Sequence, residues 1–130
     1  MTRLVVVLIC MALSLIGCAR STTGTAAAPA DVQPWSTEAQ IVELVQEFES
    51  AWNTSDYGGL RQLMCSDLLA EDIFTDQHLE DARSEGTLDL TILELEIDDS
   101  TARAVIENHG ADADEIAFVN EGGRWKWCEY

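Results

Sequence analysis

The chain has 130 residues, with 7 Lys+Arg against 24 Asp+Glu, a net charge of −17 and a pI near 4.1. That length fits one folded domain and excludes two independent cores. The charge excludes binding to a phosphate backbone or adsorption of the folded body to anionic lipid, and 47% hydrophobic residues with four Trp exclude a disordered chain.

Residues 1–17 read as an export signal, with Arg3, an apolar run from Leu4 to Leu13, and then small or apolar residues before Cys18. The run is too short to span a bilayer, which takes about 20 apolar residues. The string Leu15-Ile16-Gly17-Cys18 resembles the lipobox of bacterial lipoproteins. That resemblance implies that Cys18 is the lipidation site, carrying diacylglycerol and acyl chains such as palmitate, and that cleavage makes it the mature N-terminus. The alternative is an ordinary cleaved signal beside an incidental cysteine. Two or more acyl chains hold a protein stably, whereas one binds marginally. Losing Arg3 with the signal leaves the mature chain one charge more negative. The lipid therefore has to hold a body that an anionic surface repels.

Residues 18–34 form the lipidated cysteine and a flexible linker. Its Ala19–Pro34 stretch is rich in Ala, Thr, Ser and Pro and lacks hydrophobic periodicity. Such a tether reaches roughly 20 Å if flexible. Ser21, Thr22, Thr23 and Thr25 near Pro29 are open to O-glycosylation, or the tether is unmodified.

The folded domain spans 35–130. Thr37 is the predicted N-cap of a first helix, with Gln40 completing a capping box. Ile41, Leu44, Val45, Phe48 and Trp52 then form one apolar stripe, while Glu38, Glu43, Glu47 and Glu49 fill the solvated arc. Asn53-Thr54-Ser55-Asp56 breaks the helix, and a second short one carries Leu60, Leu63 and Met64. Between Ser66 and Gly86 the residues Ile73, Phe74, Leu79 and Ala82 suggest a turn or two of helix over the core, with Gly86 as its stop.

From Leu88 the period becomes two. Leu88, Leu90 and Ile92 alternate with polar residues, then Leu93, Leu95 and Ile97 do so with flipped parity, the signature of a β-bulge. Asp98-Asp99-Ser100 turns into a strand over 101–107, Asn108-His109-Gly110 opens the next connection, and a third strand covers 115–121. Gly122-Gly123 is a hairpin signal leading into a last strand over 124–129. Hairpin register then sets Glu121 opposite Arg124, Asn120 opposite Trp125 and Phe118 opposite Trp127. The predicted class is α+β, with N-terminal helices packed on a curved four-stranded antiparallel sheet.

Ala51-Trp52-Asn53 with Asp56, Leu60-Arg61-Gln62-Leu63, and Arg124-Trp125-Lys126-Trp127-Cys128 resemble the nuclear-transport-factor-2-like (cystatin-like) superfamily. The resemblance covers Ser36 to Tyr130 and is greatest to small secreted or lipid-anchored actinobacterial members. It implies a cone-shaped sheet wrapped by helices. In enzymes of that superfamily the cone holds a carboxylate base or paired acids, often with Tyr or His.

The chemistry-bearing residues weigh against catalysis. Asp89, Glu94 and Glu96 alternate out of the hydrophobic set, and Asp98, Asp99, Asp112, Asp114 and Glu115 sit at hairpin ends, where a solvated turn competes with a fragmentary Ca²⁺ loop. His78 and His109 lack a second local ligand, so no metal site is expected. No phosphate loop, nucleophile elbow or CxxC pair occurs, and no cofactor is implied. The candidate ligand pocket consists of Asn120, Trp125, Trp127 and Phe118, with Asn120 either orienting a ligand or sitting at the wet rim of the core. Trp35, Trp125 and Trp127 form either a stacking platform or core; the parity of the last two favours core, where Trp52 and Phe118 are expected as well.

With Cys10 leaving in the signal and Cys18 lipidated, Cys65 and Cys128 remain as a predicted disulfide in an oxidising compartment, the alternative being two buried free thiols. A helical wheel puts Cys65 on the flank of its stripe, and parity puts Cys128 off the Trp125/Trp127 face, so both point toward the rim. The expectation is a lipoprotein on the extracytoplasmic face of the cell membrane, or partly released. Its non-catalytic domain binds an envelope protein or a small apolar ligand. The alternative is an isomerase, dehydratase or hydrolase using a pocket in the cone.

Overall fold

The computed structural model describes residues 36–129. The signal peptide, Cys18, the linker, Trp35 and Tyr130 lie outside the described residues. None of the described helices is long and apolar enough to cross a membrane.

Helix α1 spans Thr37–Asn53 and buries Ile41, Leu44, Val45, Phe48 and Ala51. Its N-cap is Ser36, one residue upstream of the expected Thr37. Ser36 is extended and its Oγ accepts the Ala39 N–H at 3.1 Å, while Thr37 is already helical. Trp52, expected in the core, is half-buried at the end of the stripe, and its indole N–H donates to the Gly86 carbonyl. After a turn with Ser55 at φ 58°, helix α2 (Tyr57–Leu63) starts at Asp56, whose carboxylate accepts the Gly59 N–H at 2.9 Å. Leu60 and Met64 are buried and Leu63 half-buried.

The stretch read as a turn or two of helix holds two helices, α3 (Ser66–Leu69) and α4 (Asp76–Ser84). Each has a side-chain cap: the Cys65 sulfur accepts the Leu68 N–H, and the Thr75 hydroxyl accepts the His78 N–H. Gly86 follows α4 without entering the left-handed region, so the helix does not use it as a glycine stop.

Strands β1 (Leu90–Asp98), β2 (Thr101–Asn108), β3 (Ala113–Glu121) and β4 (Arg124–Trp127) pair in chain order as an antiparallel meander. The first strand starts two residues later than Leu88 because α1 takes that backbone. The Asn53 amide donates to the Leu88 carbonyl and accepts its N–H, both at 2.8 Å, and Glu49 accepts the Leu90 N–H at 2.7 Å. The expected bulge is present: Ile92 pairs with Ile106 and Glu94 with Val105, leaving Leu93 unpaired and 52% exposed. Gly122 and Gly123, at φ 61° and 88°, form the β3–β4 turn in the conformation that only glycine adopts freely. The register puts Phe118 opposite Trp127 and Asn120 opposite Trp125.

The inner face of the sheet carries Ala102, Ala104, Ile106, Phe118, Trp125 and Trp127, all buried, and α1 packs on β1 and β4. Phe48 stacks on Trp127 with ring centroids 4.0 Å apart, and Phe118 meets the same indole edge-on at 5.4 Å.

Past α2 the chain runs extended through Met64 and Cys65, so the helical wheel does not apply there. Met64 forms a parallel bridge with Trp127, and the Cys65 N–H donates to the Trp127 carbonyl at 2.9 Å. This covers the free edge of β4. It also turns Cys65 inward, so that Cys65 is 0% exposed rather than at the rim, while Cys128 is half-buried. The two are disulfide-bonded with Cα atoms 5.2 Å apart, within the usual span.

One residue on, Glu121 of β3 accepts hydrogen bonds from both the backbone N–H and the hydroxyl of Ser66, at 2.9 and 2.8 Å. The Ser66 N–H foremost, then its hydroxyl, hold the Glu121 carboxyl below its ordinary pKa; desolvation opposes them, and the Lys126 charge adds a smaller lowering. Its contribution to stability is therefore complete above the ordinary carboxylate pKa and is lost as pH falls through the lowered one. Glu121→Gln is expected to lower the urea midpoint near neutral pH, with the gap to wild type closing in acid. Parallel midpoints from neutral to strongly acidic pH would contradict this.

Candidate functional site

Between α4, the segment before it and the inner face of the sheet near Trp127 lies an open cavity of about 380 Å³. Phe48 and Trp52 of α1, Leu90 of β1, Ile106 of β2, Ile116 of β3 and Trp127 form one side. Ile73, Phe74, Leu79 and Ala82 form the roof. Its polar wall residues are His78, Asn108, Asp114 and Glu129. Strand parity explains two of these, since Asn108 and Asp114 share the inner face with Ile106 and Ile116, while Glu129 lies two residues past Trp127, beyond the end of β4. His78, Asp114 and Glu129 are solvent-exposed; Asn108 is half-buried, and its Oδ1 accepts the Asp89 N–H at 2.9 Å.

Two arginines hold the roof. Arg61 of α2 donates through Nε to the Phe74 carbonyl at 2.9 Å and pairs with Asp76 at the start of α4. Arg83, in the last turn of α4, donates to the Trp52 and Asn53 carbonyls at 2.9 and 3.1 Å. Those carbonyls lie at the C-terminus of α1, where helical partners are missing and a cation is favoured. Arg83 escaped the sequence reading because nothing local links it to a helix end thirty residues away. Its position in the last turn of a helix was the only available signal.

Of the four residues read as a ligand pocket, Trp127 lines the cavity. Phe118 packs behind it, and Trp125 lies toward the hairpin end, beside Leu44, Arg124 and Lys126. Asn120 does not line that cavity: its Oδ1 accepts the Gly123 N–H at 2.9 Å and ties the β3–β4 turn. Trp125 and Trp127 are buried, so they present no stacking platform.

The strand acids Asp89, Glu94 and Glu96 are exposed. Asp114, read as part of a turn, lies instead in β3 on the cavity wall, while Glu115 faces Arg103 at 3.7 Å. His109 lies 3.6 Å from Asp89, both exposed, and His78 faces the cavity. Among the described residues no group of His, Cys, Asp and Glu is arranged to hold a metal ion.

No protein-family model matches the chain, and no curated protein matches it. Among solved structures it is similar to an NTF-2-like protein of unknown function from Silicibacter pomeroyi, at 19% identity and a TM-score of 0.52, over 69% of this chain and 88% of that one. It also matches an NTF-2-like protein of unknown function from Shewanella oneidensis, at 19% identity and a TM-score of 0.48, over 71% and 94% of the two chains. Helices followed by a four-stranded antiparallel meander, superposing on the Silicibacter protein, give this chain an α+β fold of the NTF-2-like kind.

Proposed function

We propose that this protein is a cell-envelope lipoprotein whose small non-catalytic domain binds an apolar ligand. Cys18 anchors it by lipid to the extracytoplasmic face of the membrane, as in the small lipid-anchored actinobacterial proteins its sequence resembles, and the following linker lets the domain move beside the surface. The observation that carries the ligand reading is the 380 Å³ cavity, walled mainly by aliphatic and aromatic side chains. An enzyme in the same cone needs an acid or base shielded from water, so that its pKa is tuned to the reaction. The titratable wall residues are all exposed, and no polar or charged side chain is buried among the described residues.

Native mass spectrometry of the protein extracted from its own membrane tests both halves. The expected spectrum has a lipid mass on Cys18 and a further, non-covalent increment for retained ligand. Cys18→Ala is expected to move the protein from the membrane fraction to the medium. An unmodified Cys18 in wild-type protein from the medium would refute the anchor, and a ligand-free spectrum under gentle extraction would count against the binding role.

A further inference from the structure

We propose that the cavity selects a small cationic amphiphile, a molecule with an apolar body and one protonated amine. This rests on the ligand reading above and adds the charge of the occupant. Asp114 and Glu129 stand on the wall as carboxylates, and neither has an ion-pair or hydrogen-bond partner for its side chain among the described residues. No Lys or Arg lines the cavity. His78 lines the cavity too and is exposed; the arginines and the lysine nearby are engaged elsewhere, Arg61 with Asp76, Arg83 with the end of α1, Arg103 with Glu115, and Lys126 with the Gln62 carbonyl.

The 130-residue chain as a whole carries a net −17. A carboxylate or sulfate on a ligand would therefore meet two uncompensated charges at the wall and a repelling field on approach. An ammonium meets the reverse. The wall also carries the aromatic side chains of Phe48 and Trp52, and an aromatic ring attracts a desolvated ammonium to its face. A neutral amphiphile gains only from the apolar wall. At about 380 Å³ the cavity lies near the small end of the roughly 300–1,000 Å³ typical of small-molecule pockets, which suits a single short chain or one fused ring system rather than a diacyl lipid.

Isothermal titration of the full-length chain near neutral pH with decylamine, decanol and decanoate varies the headgroup at constant body. Decylamine is expected to bind about fivefold tighter than decanol, as two exposed ion pairs at the upper part of their range would give, with decanoate weakest. In the exposed, isosteric double variant Asp114→Asn/Glu129→Gln, the amine preference is expected to collapse toward that of decanol, with decanol itself unchanged. Ala82→Phe, which fills the cavity from the roof, is expected to abolish binding of all three. Equal affinity for amine and alcohol, or a preference that survives the double variant, overturns the inference and leaves the ligand reading standing. Amine binding that persists in folded Ala82→Phe is adsorption to an acidic surface and also overturns it. Binding of none of the three removes the ligand reading and this inference together.

Discussion

Replacing Cys65 and Cys128 together by Ser is expected to remove about 4 kcal/mol of unfolding free energy. The bridge closes a loop with a sequence separation of 63, and constraining the unfolded chain over that length contributes about this much in the chain-entropy account. It is a large share of the roughly 5–15 kcal/mol available to a small domain. For a folded body of this size it corresponds to a drop in Tm of roughly 15–30 °C. Serine is the informative substitute at position 65. The Cys65 sulfur caps α3 by accepting the Leu68 N–H, and a serine hydroxyl serves that position better than sulfur does. The Ser/Ser variant therefore isolates the crosslink, whereas Cys65→Ala with Cys128→Ser adds the lost cap, about 1 kcal/mol more. The junction keeps its non-covalent ties, from the Cys65 N–H to Trp127 and from Ser66 to Glu121, so native near-ultraviolet spectra are expected to change little. Equal urea midpoints for oxidised and reduced protein would overturn this, as would full reactivity of both thiols in folded, unreduced protein.

What could be read from the chain was whatever repeats with a regular period. The stripe from Ile41 to Phe48 is buried as its spacing requires. The parity flip after Ile92 became a bulge, since period-two alternation leaves only one way to bring Ile92 and Leu95 to one face, though Leu93 and Ile97 of the second set are exposed. Gly122-Gly123 fixed the last register for a similarly local reason. The misreadings occurred where the chain leaves periodic structure. Met64 and Cys65 are extended, so a wheel carried on from Leu60 misdirected Cys65. Asn120 shares the tryptophan face by parity, yet its side chain is short enough to reach the Gly123 N–H, and local turn chemistry won over the pocket. The cavity depends on the roof, and the roof depends on Arg61 and Arg83 reaching carbonyls far away in sequence. Nothing in a local window encodes such contacts. The same holds for Asp114, whose neighbours Asp112 and Glu115 made it look like one more turn acid until the β2–β3 register set it beside Ile106.

Phe118→Ala is expected to cost about 4–5 kcal/mol, the upper part of the range for deleting a buried aromatic ring. The side chain is 0% exposed, and its cross-strand neighbours are Ala102 on β2 and Trp127 on β4. Ala102 is too small to fill the space left behind. Trp127 is restrained from moving in, because Phe48 stacks on its face and its indole N–H donates to the Glu129 carbonyl. Phe118 is not part of the cavity wall, so the void would be a separate, apolar one that water does not fill. A site that can neither collapse nor hydrate bears the transfer loss and the cavity term together. Phe118→Leu keeps most of the volume and is expected to cost less than about 1.5 kcal/mol. Urea unfolding measures both, and an unchanged m-value would confirm that the loss lies in the native core rather than in the compactness of the unfolded chain. An alanine cost below about 2 kcal/mol would mean that Trp127 had swung into the void. The cavity would then be larger in that variant, and the wall that Trp127 gives the ligand site would be a movable one.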